Sequence, residues 1–124
     1  NQIKNLEILI AEDDEISSML ITRFVKIFGQ EVIKARNGVE AVEACRNHPD
    51  IDLVLMDIRM PVMDGYEATI KIRQFNKDAV IIAQTASALT GDREKAIEAG
   101  CNDYISKPYG PTLLTELIVK QFKK

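Results

Sequence analysis

Apolar residues along the chain follow two alternating patterns. Leu6 to Ala11, Ile51 to Met56 and Ala79 to Ala83 are apolar at nearly every position, the mark of strands covered on both faces. Glu31 to Ala35 and Asp103 to Ser106 predict two further short strands. Between these runs the spacing becomes helical. Beyond the acids Glu12 to Glu15, the residues Ile16, Met19, Leu20, Phe24, Ile27 and Phe28 predict a helix stopped by Gly29. Ala41, Val42 and Cys45 mark one face of a second helix, bounded by Pro49. Ala68, Ile72 and Phe75 stripe a third, where Glu67 and Lys71 can pair at i,i+4. A fourth ends at Gly100, and a fifth starts at Pro111 and carries Leu114, Leu117, Ile118 and Phe122.

Strand and helix thus alternate about five times, with no repeat, linker or low-complexity stretch, so residues 1–124 read as one domain. Strands joined through helices run parallel, and right-handed crossovers spread the helices over both faces of the sheet. The expected fold class is α/β, a flavodoxin-like, doubly wound (βα)5 with a parallel five-stranded sheet in the order 2-1-3-4-5. Such sheets bind ligands outside the carboxyl ends of their strands, at the switch point between strands one and three.

Candidate chemistry gathers at those ends. Glu12 and Asp13 follow the first strand, Asp57 the third, Thr85 the fourth and Lys107 the fifth, whereas the second, an edge strand, contributes nothing. Three carboxylates in one crevice repel each other unless a cation neutralises them. Oxygen donors of this kind suit Mg2+ better than zinc, for which imidazole or thiolate would be expected. Asp13 and Asp57 are expected as direct metal ligands and Glu12 as a ligand through water. Asp57, ending the most central strand, is the candidate nucleophile, because a carboxylate can form an acyl phosphate. Lys107 and Thr85 would supply a cation and a hydroxyl to the charge that spreads over a transferring phosphoryl group.

Bulk properties narrow the partners. A net charge of -3 and a pI near 5.2 argue against direct nucleic-acid binding, which relies on clustered Lys and Arg. No apolar run approaches the ~20 residues of a membrane span, and Asn1 to Glu7 does not resemble a signal peptide, so a cytoplasmic location without membrane contact is expected. Cys45 and Cys101 lie far apart without metal-ligand spacing and read as reduced structural thiols; His48, beside Pro49, reads as a solvated loop residue. Asp14 and Glu15 fit a helix N-terminus, Asp64 a helix cap, Gly65 a closely packed helix start, and Met60 and Met63 loop packing.

The runs Ile8-Leu9-Ile10-Ala11-Glu12-Asp13, Met56-Asp57-Ile58-Arg59-Met60-Pro61-Val62-Met63-Asp64-Gly65, Gln84-Thr85-Ala86 and Ser106-Lys107-Pro108 resemble response-regulator receiver domains of two-component signal transduction, in order and spacing. The resemblance covers essentially the whole chain. It implies a phosphorelay phosphoprotein in which Asp57 accepts a phosphoryl group from the phosphohistidine of a histidine kinase or histidine phosphotransfer domain. It also implies Glu12 and Asp13 as the acidic pair, Thr85 as the switch hydroxyl, Lys107 as the phosphate-pairing lysine and Tyr104 as the switch aromatic. The Arg59 main-chain carbonyl is implied as a metal ligand and the Lys107-Pro108 bond as cis. Glu12 departs from the Asp that many members carry. Arg59 and Ser87 occupy positions where members vary their phosphate lifetimes. The implied output is a change of partner preference, or a homodimer, on the face of helix four, strand five and helix five.

The wording from Met60 to Thr69 and from Gly91-Asp92-Arg93-Glu94-Lys95 through Ser106-Lys107-Pro108 is most similar to receivers of hybrid sensor histidine kinases, so an excised domain of such a kinase is expected, with a stand-alone regulator as the alternative. The domain would catalyse its own phosphoryl transfer and dephosphorylation. Three rivals fit less well. An aspartyl phosphohydrolase needs a second Asp where Arg59 stands, and a flavodoxin-type phosphate loop is incompatible with Glu12 to Glu15. A phosphorylation-independent pseudo-receiver has no use for the complete acidic site.

Overall fold

The computed structural model describes residues 3–29, 31–86 and 91–123. Strands β1 (Ile8–Ala11), β2 (Val32–Ala35), β3 (Leu53–Asp57), β4 (Val80–Thr85) and β5 (Asp103–Ser106) alternate with helices α1 (Glu15–Val25), α2 (Gly38–Asn47), α3 (Gly65–Arg73), α4 (Asp92–Ala99) and α5 (Pro111–Phe122). Every strand pairing is parallel and the order is β2-β1-β3-β4-β5, as expected from the βα alternation.

Period-two alternation divides each strand between two cores. Ile8 and Ile10, Leu53 and Leu55, and Val80 and Ile82 face Ile21 and Val25 of α1 and Leu114 and Ile118 of α5. Their neighbours Leu9, Ala11, Val54, Met56, Ile81 and Ala83 face Ala41, Val42 and Cys45 of α2, Ala68 and Ile72 of α3, and Ala96 of α4. Full burial of each Leu, Ile, Val or Met side chain contributes about 1.5–3 kcal/mol, and both faces of β1 and β3 are covered. That double coverage is why these strands are apolar without interruption.

Helix starts are set by short polar side chains. The Asp14 carboxylate accepts from Ser17 N at 2.9 Å and Ser17 Oγ at 2.6 Å. Asn37 accepts from Glu40 N at 2.8 Å while Glu40 reaches back to Arg36 N at 2.8 Å, and Asp64 accepts from Glu67 N at 2.9 Å. The last turn of α4 closes through Gly100 at φ 118°, whose carbonyl also accepts from Arg73 Nε at 2.8 Å.

Two expected helix faces are corrected. In α1 the buried stripe is Ser18, Ile21 and Val25, while Ile16, Met19, Leu20 and Ile27 are 77%, 49%, 48% and 69% exposed. The inner stripe contains a serine, so selecting apolar positions alone rotates the helix toward its wrong side; Phe28 is buried beyond the helix end. Phe75 lies past the end of α3 and is exposed, its ring 5.2 Å beneath the Arg46 guanidinium. Strand boundaries also shift: β1 and β3 begin two residues later than the apolar runs, and Asp57 and Thr85 are the last strand residues rather than the first loop residues. Cys45 and Cys101 are buried and unpaired, and burial pushes both thiols up to about 11. His48 is exposed at the end of α2.

The loop after β3 contains a local backbone cost. Val62 has φ 71°, and Met63 N donates to the Pro61 carbonyl at 2.7 Å, a three-residue turn. A β-branched residue there is strained by roughly 1–3 kcal/mol. Val62→Gly is therefore expected to stabilise the domain by about 1 kcal/mol after the added freedom of glycine in the unfolded chain is subtracted. Urea unfolding checks it; an unchanged or lower midpoint would refute the strain.

Candidate functional site

The register of the sheet delivers the predicted residues to one edge. Ala11 pairs with Met56, so Glu12 follows beside Asp57; Asp57 pairs with Gln84, and Thr85 with Ser106, just ahead of Lys107. Main-chain bonds fix the loops that leave this edge: Glu12 N to the Ala35 carbonyl at 2.9 Å, Ile58 N to the Gln84 carbonyl at 3.0 Å, and Lys107 N to the Thr85 carbonyl at 2.7 Å. Gly65 starts α3 against the back of the site, where a Cβ would meet the Asp57 carbonyl oxygen at 2.3 Å. Only glycine lets α3 approach that closely.

Glu12, Asp13 and Asp57 each present a carboxylate oxygen within 4.8 Å of the other two. Glu12 and Asp57 are buried, while Asp13 is exposed. The Lys107 ammonium stands 2.6 Å from Glu12 Oε1 and 3.3 Å from Asp57 Oδ2. The second oxygen of Glu12 accepts from Asp14 N at 3.1 Å, and Asp57 Oδ1 accepts from Arg59 N at 3.3 Å. The Lys107-Pro108 peptide is cis.

Electrostatics follow from this crowding. Burial, then the negative charge of Glu12, pushes the Asp57 carboxyl up to about 7, although Lys107 pulls the other way. Burial lowers the Lys107 ammonium, but its hydrogen bond to Glu12 and the charges of Asp57 and Glu12 outweigh that and leave it raised. A simple ion pair would lower the acid as it raised the base. Here one lysine serves two acids and gives its shorter contact to Glu12, so Asp57 remains under-neutralised.

Thr85 is buried at the end of β4 and lines a cleft of about 160 Å³ with Arg59, Ala86 and Lys95. By strand alternation it shares the sheet face of Ala83, whose register partner is Tyr104; Tyr104 is half-buried against the core on that face. Ser87 lies outside the described residues. Asp14, Asp64 and Gly65 act as caps or close-packed backbone, and Met60 and Met63 pack locally, as their sequence positions imply.

Sequence reading passed over Gln84 and Tyr109. Gln84 is fully buried, its Oε1 accepts the Tyr109 hydroxyl at 2.6 Å, and its Nε2 has no partner among the described residues. The available signal was an amide closing the otherwise apolar run Val80 to Ala83.

A five-stranded parallel sheet with an acidic trio and a lysine at its switch point defines an α/β carboxylate-site domain of the doubly wound class. Comparison with known proteins makes this specific: the chain belongs to the response regulator receiver domain family, whose model matches residues 8–119. It is 43% identical over 110 residues to hybrid signal transduction histidine kinase G of Dictyostelium discoideum, covering 85% of this chain and 3% of that protein. The chain thus spans a small part of that curated relative. Among solved structures, the receiver domain of sensor histidine kinase PA1611 from Pseudomonas aeruginosa PAO1, which has a magnesium ion coordinated in its active site cleft, superimposes with TM-score 0.85 at 36% identity, covering 97% of this chain and 99% of that one. A chain of the Saccharomyces cerevisiae co-crystal of the phosphotransfer protein Ypd1 with the receiver domain of Ssk1 matches with TM-score 0.88 at 31% identity, over 97% of this chain and 90% of that one. Among the described residues no helix is long and apolar enough to cross a membrane.

The raised Asp57 carboxyl sets a pH dependence. Its folded value of about 7 exceeds its ordinary value of 3.8, so the protonated form favours the fold, and stability is lost as pH rises from about 4 through about 7. Without divalent metal, Asp57→Asn is expected to exceed the parent chain in stability above pH 7 by roughly 2 kcal/mol, and to match it near pH 4. Urea titrations across pH 4 to 8 read this difference; a constant offset would contradict the assigned burial and repulsion.

Proposed function

We propose that Asp57 is the phosphoacceptor of this receiver domain, taking a phosphoryl group from a phosphohistidine of a histidine kinase or histidine phosphotransfer domain. The observation that carries the reading is the three-carboxylate cluster with one shared lysine at the carboxyl edge of β1 and β3. In the transfer, an Asp57 carboxylate oxygen forms a bond to phosphorus as the phosphorus–nitrogen bond to the donor imidazole breaks, and the imidazole keeps that electron pair. Lys107 pairs with the phosphoryl oxygens, and the Thr85 hydroxyl donates to them once the group is in place. Arg59 N, already directed at Asp57, holds the acceptor carboxylate in orientation.

The donor set fits Mg2+. All three clustered side chains offer hard oxygens, and Cys45, Cys101 and His48 are placed elsewhere in the fold. Glu12, Asp13, Asp57 and the Arg59 carbonyl would hold the ion, which when bound neutralises the acids and the charge of the incoming group. On this reading Thr85 and Tyr104, on one face of the sheet, carry the switch to α4, β5 and α5, where partner preference changes, homodimer formation included. The domain works in the cytoplasm within a hybrid sensor histidine kinase; the buried, unpaired thiols suit a reducing compartment.

Two measurements test the proposal. Acetyl phosphate with Mg2+ is expected to label the parent chain and leave Asp57→Ala unlabelled; equal labelling would remove the assignment. Mg2+ at ten times its dissociation constant should add about 1.4 kcal/mol of stability by mass action, seen as a higher melting temperature. Asp13→Asn should abolish most of that gain, and a parent chain indifferent to millimolar Mg2+ would exclude the metal cluster.

A further inference from the structure

We infer that Gln84 and Tyr109 form a brace that positions Lys107 for transfer to Asp57, an inference that rests on the phosphoacceptor reading above. Gln84 is the register partner of Asp57 on the adjacent strand, and alternation puts it on the same sheet face as Glu12, Asp57 and Lys107. Below that polar row the face is apolar, built from Ile8, Ile10, Leu53, Leu55, Ile82 and Ile105. An amide is a poor choice there for stability. Its Nε2 is buried without a partner among the described residues, a desolvation cost that a leucine would not carry. What the amide supplies is an acceptor for the Tyr109 hydroxyl at 2.6 Å.

Tyr109 stands two positions beyond Lys107 in the loop between β5 and α5. The main-chain bond from Lys107 N to the Thr85 carbonyl holds the beginning of that loop, and the Tyr109 bond ties its far side to β4. A surface cleft of about 140 Å³ opens beside this segment, lined by Leu20, Phe24, Lys107 and Tyr109. The Tyr109 ring packs against the edge of the α1–α5 core and stands at a tilted 6.3 Å centroid separation from Phe24. The hydrogen bond adds a directional tie to that packing, fixing the loop so that the ammonium stays within reach of Asp57 as well as Glu12. The side-chain hydrogen bond of Gln84 goes to Tyr109 and not to Glu12, Asp13 or Asp57, so the pair acts through Lys107.

The test uses Gln84→Leu, Tyr109→Phe and the double variant. With acetyl phosphate, an Asp57 oxygen bonds to phosphorus as the phosphorus–oxygen bond to acetate breaks and acetate leaves with the electron pair. At saturating Mg2+ each single variant is expected to slow labelling about fivefold, the scale of a modest misplacement of one charged group. The double variant should be no slower than the slower single, because both remove one bond. The Mg2+ midpoint should not move, and Gln84→Leu should melt at or above the parent temperature. Parental rates in both singles, multiplying effects in the double, or slowing that follows lost thermal stability would each overturn the brace. A parent chain that takes no label would sink the phosphoacceptor reading itself and the brace with it, an outcome visible before any variant is made.

Discussion

Repulsion among carboxylates at the carboxyl edge of β1 and β3 is the constraint around which the site is arranged. Two of these acids, Glu12 and Asp57, are buried, and Lys107 is the cation within ion-pair distance of both. A lysine shared this way cannot compensate both charges, and the geometry resolves the conflict in favour of Glu12. The residue left under-neutralised is Asp57, the one that ends the central strand. Stability here is given up to keep an excess of negative charge that a divalent cation can relieve.

The surrounding backbone holds that imbalance in place. Gly65 admits α3 against the Asp57 carbonyl, and Ile58 N is tied to β4. Val62 accepts an unfavourable backbone angle so that the loop after β3 can turn within three residues. Caps at Asp14, Asn37 and Asp64 start α1, α2 and α3 at fixed points near the same edge. Each device limits how far the acids can move apart, so repulsion cannot be relaxed by drift of the backbone.

Much of this was legible in the residue order. Uninterrupted apolar runs separated by helical spacing suffice for a parallel sheet, and parallel sheets place strand-end residues together; Glu12, Asp57, Thr85 and Lys107 follow from that logic alone. What the pattern could not carry was orientation within an element. The inner stripe of α1 includes Ser18, so the more apolar side, Ile16, Met19 and Leu20, points to solvent. Phe75 failed similarly, because α3 ends before it and Arg46 rather than the core covers its ring. Gln84 escaped notice because a single polar residue in a strand carries no period, and its partner is 25 positions away.

Strand alternation divides the edge residues of the site between two surfaces. Asp57 and Gln84 are on the face packed by α1 and α5, whereas Thr85, one residue further along β4, is on the face packed by α2, α3 and α4 with Tyr104. Successive residues of one strand, Gln84 and Thr85, thus stand on opposite sides of the sheet. Lys107 and Tyr109 stand toward α1 and α5, while Thr85 and Tyr104 stand toward α4. Both faces are joined by β4, which lies between β3 and β5 and is buried along its whole run Val80–Thr85.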